Sequence, residues 1–382
     1  MHKNTLTAVA IASAALVTST ALLTVAGPLS PPAGPVASTY KTLTEVEPRT
    51  AISLANTPGD ANSTFRITQR GSYYLTGNVV GAAGRHGIEI DAPNVTLDLN
   101  GFSLTGVAGS LAGVFAGNSA TALNITVKNG TISGWSARGV ELALGEGCTV
   151  ERVTASNNSG DGIAPGFYAR VHACIARLNG GGFVLGGRSV VTDSIAQMNT
   201  GPGFQALNGA TISGSTAVDN TGIGFEVDIV GSLTLCTADS NGIGFEVNSI
   251  LIDRCVARSN ASFGIGAFSG SVVRGSLALF NVTDGILVGT DCTIIDNTAD
   301  SNGNGGVGAG IHVTGNDNRI ERNTCTDADV GIDGDIAGNF YASNTCSGNG
   351  ADYTIVAGQT IGPAVPAGLI PAGTTYYANF QY

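Results

Sequence analysis

Short apolar–polar alternations recur along this chain at a nearly fixed interval. The hexapeptide GIGFEV occupies residues 222–227 and returns at 242–247. Gly followed by an apolar residue opens similar stretches at Gly87, Gly113, Gly139, Gly162, Gly182, Gly203, Gly224, Gly244, Gly264, Gly285, Gly310 and Gly331, in steps of 20 to 26 residues. Self-similarity at such a period marks stacked repeats. An asparagine closes most of them: Asn158, Asn179, Asn199, Asn220, Asn241, Asn260, Asn281, Asn302 and later Asn349, with Ala328 in the one slot between. Eight residues before each of these positions up to Ala328 stands Val, Ile or Leu. Three before stands Ala and finally Cys; five before stands mostly Cys, Ser or Asn.

Period-two alternation such as Gly-Phe-Glu-Val predicts a strand, and the Gly, Asn, Asp and Ser between such runs predict turns. Three short strands in twenty-odd residues close a coil, and successive coils then pair as parallel strands about 4.8 Å apart. The pattern predicts an all-β, single-stranded parallel β-helix of about 12 coils of 20–26 residues, roughly 55–60 Å long on that rise. No window sustains the 3.6-residue period of an amphipathic helix.

GIGFEV returns because Phe225 and Phe245 are expected to point inward at equivalent places on adjacent coils, with Phe183 and Phe204 extending the column. Stacked rings add about 0.5–1.5 kcal/mol per pair beyond their burial. The asparagine column is expected at a turn, with left-handed φ at the asparagines and hydrogen bonds to the neighbouring coil. An open solenoid must cover its end strands. Residues 63–86 therefore read as an N-terminal cap or first coil, 87–355 as the β-helix, and 356–382 as a tail packed on the last coil.

Composition narrows the setting. Charged residues are 12% of the chain, the formal charge is −11, and no lysine follows Lys128. That balance argues against a nucleic-acid partner, which needs a basic face. Residues 1–26 join MHKN to an apolar run, read as a signal peptide or, given its length, an uncleaved anchor. Residues 27–62 form a Pro-rich spacer and leader. No second apolar run of spanning length follows. The expectation is a monomer, secreted or held at the cell envelope, with no membrane contact once the signal is removed. Seven cysteines without a CxxC fall on inward columns and are expected to be mostly free, buried thiols.

RGSYYLTGNVV, GIEIDAPNVTLDLNGFSLTGV and the asparagine-rich coils after them resemble secreted right-handed β-helix repeat proteins of planctomycete-type bacteria, within the wider pectin-lyase-like superfamily. The resemblance covers nearly everything after residue 38. It implies right-handed coiling with caps at both ends. Because the superfamily includes pectate lyases, polygalacturonases, epimerases and phage tailspikes, it also implies contact with polysaccharide, by fold-level analogy. Lyases on this scaffold typically use calcium-binding carboxylates with Arg or Lys; polygalacturonases use clustered Asp with His, Arg and Lys. Neither constellation is recognisable here.

The acidic candidates are Glu226 and Glu246, each expected to face outward beside an inward Phe, with Gln205, Asp228 and Asn248 as flanking ligand-binding candidates. Carboxylates about 5 Å apart raise one another's pKa and approach the spacing of a retaining glycosidase pair. Every stacked pair in a β-helix shares that spacing, so two solvated surface carboxylates are the plainer reading. Ca²⁺ is the one cofactor these oxygens suit, given six or more donors with water. Asp333 and Asp335 in GIDGDIAG are the metal-ligand candidates, although two carboxylates in a Gly-rich turn are more often only a turn. His312 takes the outward slot equivalent to Glu226 and shows no obvious carboxylate partner. Asp239 and Arg258 are expected to form a cross-strand ion pair. Trp135 is the sole tryptophan, so no tight sugar pocket is visible. Two functions follow: an exported scaffold contacting polysaccharide or cell-surface partners through its lateral face, and alternatively a polysaccharide lyase or glycoside hydrolase.

Overall fold

The computed structural model describes residues 47–206, 208–303, 306–366 and 374–381. Residues 1–26, read from the sequence as a signal or anchor, and most of the stretch read as a spacer after them lie outside the described residues. From Arg49 onward the chain is one compact unit. Among the described residues there is no α-helix, and forty short strands join in a single sheet.

Each coil carries three strands. In one coil these are Phe204–Ala206, Ala210–Ser213 and Thr216–Val218. The first strand stacks Phe183, Phe204, Phe225 and Phe245 in parallel register. The second stacks Val191, Ile212, Leu233 and Ile252. The third stacks Ala196, Ala217, Ala238 and Ala257. All of these side chains are buried. The four Phe rings lie nearly parallel, with centroids 4.7, 4.7 and 4.9 Å apart, so the rung spacing itself sets the ring spacing.

The first-strand column does not stop where the glycine pattern does. It continues down from Ile88 to Phe65 and up from Ile332 to Tyr353. The solenoid thus has about 15 turns rather than the expected twelve, and its lower extension falls in the segment 63–86 read as a cap or first coil. The coils of Phe65 and Tyr353 open with Thr64 and Asp352 rather than glycine, which hides them from a glycine-based register. Inside the stack the glycine is required by close approach: a Cβ on Gly224 would sit 2.7 Å from the Gly244 carbonyl oxygen and 2.9 Å from Asn241 Nδ2.

The asparagines form a buried ladder. Asn220 Nδ2 donates to Asn241 Oδ1 at 2.9 Å and to the Ala196 carbonyl at 3.1 Å. Its own Oδ1 accepts from the backbone N–H and the Nδ2 of Asn199. The same bonds recur from Asn158 to Asn302. A second ladder of amides runs Asn297, Asn323, Asn344 and Asn379. The left-handed residue is not the ladder asparagine but the one before it: Leu178, Met198, Asp219, Ser240 and Phe280 have φ between 54° and 56°. Left-handed φ turns the corner with that residue's side chain outside, and the following asparagine then points in.

The ends are covered by chain that pairs with the outer coils. Thr50–Ala51 pairs with Tyr73 and Tyr74, Thr360–Ile361 with Phe340 and Tyr341, and Asn379–Gln381 with Thr345 and Cys346. All seven cysteines are buried and unpaired. Burial pushes the Cys174 thiol up to about 12, which leaves almost no thiolate at neutral pH.

Candidate functional site

Because strands alternate, each first strand aims the residue after its core side chain outward. The outward column reads Gln205, Glu226, Glu246 in register, and further on Leu287, His312, Asp333. The structure brings together the candidates expected around Glu226. Gln205 Nε2 donates to Glu226 at 2.8 Å, and Asn248 Nδ2 donates to Asp228 at 2.6 Å. Partial burial, then the charges of Glu226 and Asp228, hold the Glu246 carboxyl above its ordinary value. Arg258 and Asp239 form the expected pair, at 2.6 Å, on the third-strand face.

Four coils from Glu226 the same face carries a center the sequence reading missed. His312 does have carboxylate partners. Its Nδ1 lies 3.2 Å from Asp284 and its Nε2 lies 3.0 Å from Asp335. Asp284 is buried at 8% exposure and also accepts the Ala309 backbone N–H at 2.9 Å. Hydrogen bonding to Asp284, more than the opposing effect of burial, drives His312 up to about 9, so the ring is an imidazolium at neutral pH. Asp333 is raised by burial, an effect that His312 opposes. Thr283, Asp284, Val307, His312, Asp329 and Asp333 line a cavity of about 450 Å³ at this place.

His312, Asp333 and Asp335 present ligand atoms within 4.8 Å of one another. A protonated imidazole is no ligand, however, and it already supplies the positive charge that a cation would bring. Metal entry at Asp333 and Asp335 therefore requires loss of that proton. The signal that could have exposed the center is Asp284 in TDGI, placed just before an inward Ile as Asp161 is in GDGI.

Trp135 is fully buried, with Nε1 donating to the Leu104 carbonyl at 3.3 Å. The aromatic surface lies elsewhere: Phe167 is 42% and Tyr168 51% exposed.

Residues 112–249 match the family described as right handed beta helix region. No curated protein sequence matches the chain. Among solved structures, the A-module of mannuronan C-5 epimerase AlgE4 from Azotobacter vinelandii is similar, with a TM-score of 0.56 at 17% identity, covering 76% of this chain and 90% of that one. The AlgE6 A-module from the same organism gives 0.55 at 17% identity, covering 81% and 89%. At that identity the likeness concerns fold. The stacked register, the family match and these neighbors agree that the chain folds as a right-handed parallel β-helix.

Proposed function

We propose that the protein is an exported β-helix scaffold that contacts polysaccharide along the outward column of its first strands. The observation that carries this reading is two groups of hydrogen-bonding side chains on one face, Gln205, Glu226 and Glu246 on successive coils and His312 and Asp333 beyond Gly266 and Leu287, held in register by the coils beneath. Such a ladder of carboxylates and amides offers acceptors and donors at about 4.8 Å intervals, close to the length of one sugar ring. The structural neighbors named for action on mannuronan support the ligand class at fold level only. An expected N-terminal signal places the protein outside the cell or at its envelope.

A second reading, a polysaccharide lyase or glycoside hydrolase, is favored by two observations. Glu246 has a raised carboxyl pKa next to Glu226, the arrangement of an acid and its partner carboxylate. Asp284, His312 and Asp335 form a hydrogen-bonded acid–imidazole–acid array. In the described geometry both ring nitrogens are engaged by carboxylates, so the imidazolium cannot pass a proton to substrate until Asp335, 54% exposed at its side chain, moves away. This favors binding over chemistry.

The test is a panel of plant and algal polysaccharides, with and without Ca²⁺, read for binding and for reducing or unsaturated ends. Binding without product, weakened in Glu226→Gln, supports the scaffold. Product lost in Glu226→Gln or His312→Gln supports the enzyme. Neither binding nor product removes both readings.

A further inference from the structure

A groove at the corner between the first and second strands has a chemistry unlike that of the acidic column. Phe167, Tyr168, Gly187, Arg188, Asn208, Ile229 and Val230 enclose about 510 Å³. The corner position recurs in every coil with left-handed φ, and it is filled by Asn94, Asn124, Gly147, Gly209, Ser249, Gly270, Asp291, Asp317 and Gly338. Those are residues that adopt this conformation at low cost. The three large exceptions are Tyr168, Arg188 and Val230, with φ of 53°, 59° and 55°, and all three line the groove. Ile229, beside Val230, is left-handed as well at 56°, and both are exposed. A β-branched residue there is a backbone outlier. Large left-handed residues also occur at the other corners, so strain by itself assigns nothing. What distinguishes this corner is the set of side chains it gathers.

Arg188 stacks over the Tyr168 ring at 5.8 Å. It has no carboxylate partner among the described residues, and neither has Arg170 two residues beyond Tyr168. The similar stack of Arg319 on Phe340, at 5.4 Å, has its guanidinium committed to Glu321. Glu146, whose backbone bridges Phe167 on the adjacent coil, forms no ion pair with Arg188 among the described residues. In a chain of formal charge −11, an uncommitted guanidinium on an aromatic platform is a local reversal of sign. Aromatic faces take the C–H faces of sugar rings, an amide such as Asn208 takes hydroxyls, and a guanidinium fork takes a planar anion in two hydrogen bonds.

We infer that this corner groove is a second glycan site, separate from the outward column, and that it takes a sugar chain bearing anionic groups. The acidic column repels such a chain, whereas Arg188 attracts it. The inference rests on the polysaccharide reading for its ligand class, but it names a different place and a different charge.

The experiment compares binding of polygalacturonate, its carboxyl-reduced form, a sulfated galactan and a neutral glucan to the wild-type protein, Arg188→Gln and Tyr168→Gly. Tyr168→Gly suits the left-handed corner, so it tests the site without a folding penalty. The expected result is that wild type prefers an anionic polymer over its neutral form. Arg188→Gln and Tyr168→Gly should weaken that binding tenfold or more and leave the neutral glucan unchanged. The carboxylated and sulfated arms identify which anion is read. Anionic binding that ignores both groove variants overturns the site while leaving polysaccharide binding in place. A change of solution mass in those variants overturns it in favor of a second copy of the chain. Wild type that binds none of the polymers defeats this inference together with the reading it rests on.

Discussion

At the scale of single residues, His312 holds its charge because two carboxylates reach it from different coils. Asp284 precedes it by 28 residues and Asp335 follows by 23. The consequence is a pH dependence with a definite sign. The folded pKa lies near 9 against an ordinary 6.5, so the proton is held more tightly in the folded protein. The stabilization is complete below about pH 6.5 and is lost as pH rises through 9. At 24% side-chain exposure, a shift of that size corresponds to roughly 3 kcal/mol. Denaturant unfolding of the wild type should weaken between pH 6 and pH 9.5, and His312→Gln should lack that decline while being less stable at pH 6. Equal pH profiles for the two proteins would remove the charged array. Asp333 and Asp335 were legible as a pair because they stand two residues apart in sequence, Asp333 within a strand and Asp335 just past its end. The array was not, because its members meet only after the chain has completed whole coils, and nothing local announces which coil ends will converge. The exposed ring of Tyr168 was hidden for a related reason: its neighbors Arg188 and Val230 stand 20 and 62 residues away in sequence.

At the scale of strands and corners, the fold was legible because each column is chemically uniform and each column has one physical job. Phe fills the interior at the first strand, Ala leaves room at the third, and the asparagine amide bridges coils at the corner. The two kinds of column should fail differently. Phe225→Ala removes a ring between two stacked neighbors and leaves a cavity, at a cost of about 3–5 kcal/mol. Asn220→Ala removes only a small side chain, yet it strands the buried Asn199 N–H and leaves the Asn199 Nδ2 with only the Ala176 carbonyl and the Asn241 Oδ1 with only the backbone N–H of residue 220. Each unsatisfied group costs roughly 1–3 kcal/mol, so Asn220→Ala should destabilize by about that much despite its smaller volume. Urea unfolding of both variants checks this, and an asparagine variant within about 0.5 kcal/mol of wild type would show the ladder to be solvated instead. The place of the left-handed residue, one position before the asparagine, was not legible. Sequence preference marks Asn as the residue that tolerates that φ, but here the amide is needed inside, and the interior requirement wins. Leu178, Met198 and Phe280 take the strained position and accept exposure.

At the scale of the whole molecule, stability in a solenoid is a sum of coil and interface terms between neighbors. A coil in the middle has two interfaces, whereas the last coil has one interface and whatever covers its outer edge. Here the cover is chain from the C-terminal segment. The backbone N–H of Asn344 donates to Asn379 Oδ1 at 3.0 Å, and the Tyr353 hydroxyl donates to the Phe380 carbonyl at 3.0 Å. Asn379 therefore ends the second amide ladder, as a terminal rung without a coil of its own above it. Deleting residues 357–382 leaves the donors of Asn344 and the strand edges at Phe340–Ala342 and Thr345–Ser347 open. Open parallel edges with buried apolar side chains beside them are templates for another chain. The truncated protein should keep the β-sheet circular dichroism of the remaining coils, because each of those still has its neighbors. Its sedimentation should shift to larger species, more so at high concentration. A truncated protein that stays at its monomer mass with unchanged unfolding would mean that the outermost complete coil closes the rod by itself.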